Sequence, residues 1–402
     1  MRSYSGAAGL VALLLAGLPL QAKDQAPPVA PQDRLLVLPV EFLYFKYGTT
    51  GSIEVMLDKT ELARSNLESS LQRALKRDES QQFVALPKVS ADELAIVNEH
   101  TDLLRLVAAA STVDTLERSA RSSSYSIGNG LAFLAERTGV DRAMLVSGVR
   151  GDPSGDVAVA AALSLLSTTE WSLVPAGNKK VLSAVVVDLR SGDVLQNVVP
   201  ERGFAGEPDD VAGANTWMHA LFDIAPDRVR RTAWRSGSQR PEKPVRHPRP
   251  RKGFVITSPM GWGESDNLHT MCLYRHRPGI ESICVDNKLL GDALRAQGTT
   301  PDADPMKVGD VAMSVVKADE RFAEMTLTSL TPARIAGHDG FRAELASRLN
   351  LAGSYIRERH VVYGIASERG TFLVRFDAPT IYYFDRYLAE FEAMVSTFKL
   401  MK

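Results

Sequence analysis

Past the middle of the chain, Arg228 to Lys252 (RVRRTAWRSGSQRPEKPVRHPRPRK) carries ten basic residues, several prolines, a single acid, Glu242, and almost nothing apolar. Such a stretch cannot build a core, and its prolines forbid a continuous helix. It reads as an extended interdomain linker that separates whatever folds before it from whatever folds after it. A basic run also fits nucleic acid, lipid head groups or acidic glycans, and the solvated hinge is the favoured reading. The expected division is a first domain over 34–231, a linker over 232–252 and a second domain over 253–402.

The amino terminus has its own grammar. Arg2 supplies a positive start, Ala7 to Leu20 is apolar, and Leu20-Gln21-Ala22 offers small residues before the charged Lys23-Asp24. That order is an export signal over 1–22, cleaved after Ala22. The apolar run is shorter than the roughly 20 residues a membrane-spanning helix needs. It contains no cysteine for a lipid anchor, so the expected product is soluble and either periplasmic or secreted. Residues 23–33 form a Pro- and Gln-rich tether with nothing to bury.

Removing the signal from the 402-residue chain leaves about 380 residues, enough for two domains with separate cores. With 45% hydrophobic and 24% charged residues the composition is that of a globular protein. The formal net charge of -1 gives the whole chain no electrostatic case for nucleic acid or an anionic membrane. Elsewhere the longest apolar run, Val157 to Leu166, is too short to span a bilayer.

The only cysteines are Cys272 and Cys284. Between them lies LYRHRPGIESI, whose Arg277-Pro278-Gly279 reads as a tight turn. A hairpin centred on Pro278 sets the two cysteines opposite each other on neighbouring strands, within reach of a bridge after modest adjustment. Export makes oxidation plausible, and a disulfide is the favoured reading. Two buried thiols on a core face are the alternative. A metal site with His269 and His276 matches no familiar ligand spacing.

The first domain alternates strand and helix. Leu35 to Phe45 reads as a buried central strand, Leu62, Leu67, Leu71 and Leu75 as a helical stripe, and Phe83 to Leu86 as a second strand. Ala91 to Arg121 reads as helix in two pieces, and Ile127 to Thr138 as a helix closed by Gly139. Ala143 to Val149 and Val181 to Leu189 read as strands, the latter turning through Arg190-Ser191-Gly192-Asp193 into Val194 to Val199. A helix over 212–222 ends the domain. The expected class is an α/β domain with a mixed sheet. The second domain reads as antiparallel strands, including Phe254 to Thr257, Leu268 to Tyr274, Ile280 to Val285 and Ala323 to Thr328. Phe341 to Leu349, Ile356 to Ile365 and Thr371 to Asp377 follow. Amphipathic helices over Met306 to Val316 and Thr380 to Phe398 complete an α+β domain, a sheet flanked by helices.

The run RLLVLPV, the helix and strand LAERTGVDRAMLVSGV, and the hairpin VLSAVVVDLRSGDVLQ come in an order that resembles the amino-terminal domain superfamily of TolB. The same superfamily includes the curli-secretion lipoprotein and the lipoprotein activators of penicillin-binding proteins. The resemblance covers about 190 residues, carries no catalytic residues and implies a module that docks onto partners. This chain departs from it in lacking the lipidation cysteine. The second domain is similar to the PsbP-like fold family in GFVITSPMGW before a strand hairpin, and in the closing FDAPTIYYFDRYLAEFEAMVSTFKL.

Strong catalytic signatures are absent from the sequence: there is no Gly-x-Ser-x-Gly, Walker loop, His-Glu-x-x-His or dinucleotide-binding Gly-x-Gly-x-x-Gly. Gly151 to Asp156 lacks the residues of a phosphate loop or an EF-hand and reads as a turn. His338-Asp339 beside Arg342 reads as a solvated hairpin turn, and His100 as a surface residue. Asp188 is expected to accept backbone N–H bonds from Ser191 and Gly192. Tyr383 and Tyr387 read as core by helical spacing, although with Tyr382 they would also form an aromatic binding face. No catalytic, cofactor-binding or metal-binding residue is assigned. The expected function is a non-catalytic cell-envelope protein that binds a protein partner or helps assemble an envelope machine. The alternative is a hydrolase or carbohydrate-active enzyme with a dispersed site.

Overall fold

The computed structural model describes residues 33–47, 53–77, 81–116, 125–152, 180–200, 204–222, 243–266, 269–276, 280–319, 322–351 and 354–401. The expected signal, the tether over 23–32, most of Gly151 to Asp156, the end of the first domain over 223–231, the first part of the linker over 232–242 and the turn expected at 277–279 lie outside them.

The apolar run that opens the first half forms two strands, β1 (Asp33–Val37) and β2 (Glu41–Tyr47). Pro39 lies between them and has no N–H to give a ladder. The line continues nonetheless, because Leu38 donates to the Met144 carbonyl at 2.9 Å. Next come β3 (Ile53–Val55), α1 (Leu57–Arg77), β4 (Gln81–Ala85), α2 (Ala91–Leu116) and α3 (Ala132–Thr138). The half closes with β5 (Arg142–Asp152), β6 (Lys180–Asp188), β7 (Val194–Val198) and α4 (Val211–Phe222).

β5 runs parallel to both β1 and β2, from Leu36 beside Ala143 to Lys46 beside Asp152. On the far side β4 pairs parallel with β1, and β3 antiparallel with β2. β6 and β7 extend the other edge antiparallel, so the sheet is mixed. Between β4 and β3 the edge of β2 is covered by α1. Thr60 Oγ1 accepts from the Tyr44 N–H at 3.0 Å, and Arg64 Nε donates to the Phe42 carbonyl at 3.0 Å. Ala63, Leu67 and Leu71 of α1 and Trp217, Met218 and Leu221 of α4 bury one face of the sheet. Leu103, Leu104 and Val107 of α2 and Leu134 of α3 bury the other. Leu62, expected in the buried stripe, is 51% exposed, and Ala63 takes its place. Where two pieces were expected, α2 is continuous to Leu116. Gly139 closes α3 at φ 66° with its N–H on the Ala135 carbonyl, as its place after Thr138 predicts.

The second half begins earlier than its composition implies. Val245–Arg249 forms β8, which pairs antiparallel with β9 (Phe254–Ser258) after a short 3-10 turn at Pro250–Lys252. The linker expected to reach Lys252 is therefore structured in its last residues. β8 is an edge strand, where Pro248 forfeits no needed ladder bond, and His247 between the prolines is buried.

Then follow β10 (Gly263–Asp266), β11 (Thr270–Tyr274), β12 (Ser282–Asp286), α5 (Leu289–Ala296) and α6 (Pro305–Val316). The long strands β13 (Phe322–Ile335), β14 (His338–Leu351), β15 (Ser354–Ser367) and β16 (Gly370–Pro379) precede α7 (Tyr383–Ser396) and β17 (Lys399–Leu400). The large sheet is antiparallel in the order β10-β11-β12-β16-β15-β14-β13, and β17 joins β9 and β8 in a small third sheet. α5 and α6 pack on Phe341, Ala343, Leu345, Val362 and Leu373. On the opposite face Phe376 stacks between Phe384 and Phe391 of α7. That apolar layer is continuous with the one beneath α2 and α3.

Candidate functional site

Cys272 on β11 and Cys284 on β12 are register partners, with Cα atoms 4.1 Å apart and the sulfurs joined. The facing register expected of the two cysteines holds, while the turn expected at Arg277-Pro278-Gly279 lies outside the described residues.

The same face of the sheet carries a polar array that spacing does not reveal. Ser282 and His360 both pair with Asp377, and Cys284 pairs with Arg375. His360 Nδ1 lies 2.7 Å from Asp377 Oδ1, and its Nε2 lies 2.7 Å from the Ser347 hydroxyl. Serine, histidine and carboxylate in this order are the parts of an activated nucleophile. Here they are sealed, with Ser347, His360 and Asp377 only 6%, 0% and 7% exposed. Asp377 Oδ2 also accepts from Arg375 Nε at 2.7 Å, and Arg375 reaches Asp319 at 3.2 Å. Burial opposes the Arg375 charge, but Asp377 and Asp319 outweigh it and raise its basicity. A second set repeats the geometry: His247 bridges Ser258 at 2.8 Å and Glu264 at 2.7 Å, and Ser258 is fully buried. The first set ties neighbouring strands of the large sheet together, and the second joins β8 and β9 to β10 at the edge of that sheet.

The other residues singled out in sequence have structural partners. Asp188 Oδ1 accepts the N–H groups of Arg190 and Ser191, while the Gly192 N–H goes to the Asp188 carbonyl. His100 is buried instead of exposed, with Nδ1 2.8 Å from the Ile96 carbonyl. Arg342 contacts Glu344, Glu392 and the Tyr363 hydroxyl, so it makes no acid-base set with His338. Tyr363 is pushed up to about 12 by burial and then by Glu392. His276 sits among Tyr125, Tyr383 and Tyr387 and meets buried Glu281 at 2.9 Å. Tyr383 and Tyr387 are core, as their spacing predicts.

The open site lies elsewhere. A groove of about 670 Å³ runs between the β13–β14 turn, the end of α7 and β17. Buried Ile335, Val395 and Phe398 line it, and Arg334, Arg369 and Lys399 stand exposed around it. Its acid, Glu392, is occupied by Arg342 and Tyr363. Arg334 is answered by Asp339 at 3.6 Å, an exposed pair with no net charge. Arg369 and Lys399 make no ion pair among the described residues. The groove therefore has an apolar floor under uncompensated positive charge. A second cleft, of about 690 Å³, lies where β1 and β4 end beneath α1. It is lined by Leu38, Leu71, Leu75 and Phe83, with Glu68 and Lys76 giving one charge of each sign.

No protein-family model and no curated protein matches the chain. Solved structures cover its carboxy-terminal 40% or so. A Bacteroides thetaiotaomicron protein is 12% identical over 40% of this chain and 49% of its own, at TM-score 0.25. Cyanobacterial PsbP from Synechocystis is 18% identical over 40% of this chain and 93% of its own, at TM-score 0.28. LpqN, involved in cell envelope biogenesis of Mycobacterium tuberculosis, is 15% identical over 41% of this chain and 93% of its own, at TM-score 0.25. At such scores the function has to be argued from this chain's own residues.

Proposed function

We propose that the protein is an exported, non-catalytic component of the cell envelope that binds another protein through the groove beside β17. The observation that carries this reading is a contrast in access. The groove is open and holds the unpaired cations Arg369 and Lys399 over an apolar floor, whereas Ser347, His360 and Asp377 are sealed between strands and Ser258 and His247 of the second set are buried. Export is supported by Arg2, the apolar run and Leu20-Gln21-Ala22. Among the described residues no helix is long and apolar enough to cross a membrane. The resemblance of the first half to docking modules is in keeping with a binding role.

The second reading, a hydrolase, has one specific observation in its favour, the Ser347-His360-Asp377 geometry. Ester and glycoside hydrolysis screens on purified protein, run beside co-purification from native envelopes, separate the two. The binding reading expects a recovered partner and no turnover. Turnover abolished by Ser347→Ala, with no partner recovered, overturns it.

A further inference from the structure

We infer that the groove takes an acidic, extended protein segment, with apolar side chains on Ile335, Val395 and Phe398 and carboxylates against Arg369 and Lys399. This inference rests on the reading of the protein as a binder and specifies the chemistry of its partner. Charge complementarity carries it. Arg369 and Lys399 share one sign and have no acidic partner among the described residues, Arg334 is answered by Asp339, and Glu392 is already held by Arg342 and Tyr363. A basic segment meets repulsion there, and a purely apolar one leaves the cations unanswered. The apolar floor adds burial for every second residue of an extended chain, whose side chains alternate between faces.

The backbone favours an extended partner too. Met401 donates to the Gly253 carbonyl at 2.8 Å, which makes that pair the hydrogen-bonded one. By the alternation of an antiparallel ladder, the N–H and C=O of Leu400 then point away from β9. Leu400 also lines the groove, so a strand laid along this edge finds a donor and an acceptor.

The test uses the mature full-length chain and a fluorescent alternating Glu–Leu peptide, with its Lys–Leu analogue and phosphatidylglycerol vesicles as comparators. The Glu–Leu peptide should bind, and the Lys–Leu peptide and vesicles should not. Raising salt from about 0.15 M to 1 M shortens the screening length from about 8 Å to 3 Å and should weaken binding strongly. Arg369→Glu with Lys399→Glu should weaken it by about tenfold or more, equivalent to about 1.4 kcal/mol, without moving the melting temperature. Equal binding of both peptides, binding of vesicles alone, or wild-type affinity in the double variant each overturns the inference. An envelope partner retained undiminished by the double variant overturns the acidic segment and leaves the binding function standing. No peptide binding together with no envelope partner overturns both.

Discussion

The Tyr383 hydroxyl donates a 2.7 Å hydrogen bond to the Ser126 carbonyl, 257 positions earlier in the chain. The same oxygen accepts the Ser126 N–H at 3.4 Å. Ser126 itself bridges to Asp193 at the tip of the β6–β7 hairpin. One buried phenol thus ties α7 to the edge of the first sheet. Tyr383 is wholly buried, and burial followed by the Glu281 charge pushes its ionisation well above the usual range, so it remains a donor.

Tyr383→Phe leaves the buried Ser126 groups without that partner and should cost about 1–3 kcal/mol. The exposed Arg357–Glu99 pair, which also links the two halves, should contribute only about 0.2–1 kcal/mol. Urea midpoints of Tyr383→Phe and Arg357→Ala check the order. An equal or larger loss in the arginine variant would contradict it.

Replacing Cys272 and Cys284 together by serine should lower stability by about 2–3 kcal/mol, the scale for so short a closed loop. Intact mass without reductant should be two hydrogens lighter than the reduced chain. Alkylation of both thiols in the folded protein would mean that they are free.

The Ser347-His360-Asp377 set should behave as a strand clamp. His360→Ala leaves Asp377 Oδ1 and the Ser347 hydroxyl without that partner while Arg375 still holds Asp377 Oδ2, at a cost of about 1–3 kcal/mol. Hydrolysis of activated esters should stay at background in wild type and Ser347→Ala alike. A rate that falls in the serine variant while its melting temperature holds would make the set catalytic.

Acid should weaken the fold. Burial lowers the proton affinity of His100, with Arg357 adding to that and Glu99 opposing it. The unfolded chain titrates near 6.5 and takes up a proton that folded His100 resists. The stability this neutral histidine contributes is complete above that value and is lost as pH falls toward the lower folded-state value. Buried His247 acts in the same direction, through burial and then Arg249. Melting temperature should therefore drop between about pH 7 and pH 5, and less so in His100→Gln. A wild-type curve flat across that window would refute the assignment.

Much of the fold was legible because its signals are local. The apolar run after Arg34 marks a central strand, and Pro39 interrupts its ladder without ending its burial. Gly139 caps a helix, and the spacing about Pro278 sets Cys272 opposite Cys284. Other features depend on distant partners. His100 is buried because Gly130 has no side chain to exclude its ring; a Cβ there would sit 2.2 Å from Nε2. β8 reads as linker because Arg and Pro dominate it, yet its pairing with β9 hides His247, and Lys252 in the turn after it is buried with Nζ on the Thr270 carbonyl. The array on β14, β15 and β16 joins residues 13 and 17 positions apart, spacings that only strand register makes meaningful. The groove draws Arg369 from one turn, Arg334 from beside another and Lys399 from the chain's last strand, with no motif linking them.

The most direct test of the binding account is site-specific photocrosslinking in native envelopes, with benzoylphenylalanine in place of Ser396 in the groove and of exposed Glu61 on α1 as control. The account predicts one discrete covalent adduct from position 396 that disappears when Arg369→Glu and Lys399→Glu are added, and none from position 61. Identical adduct patterns from the two positions, or none from position 396, would contradict it.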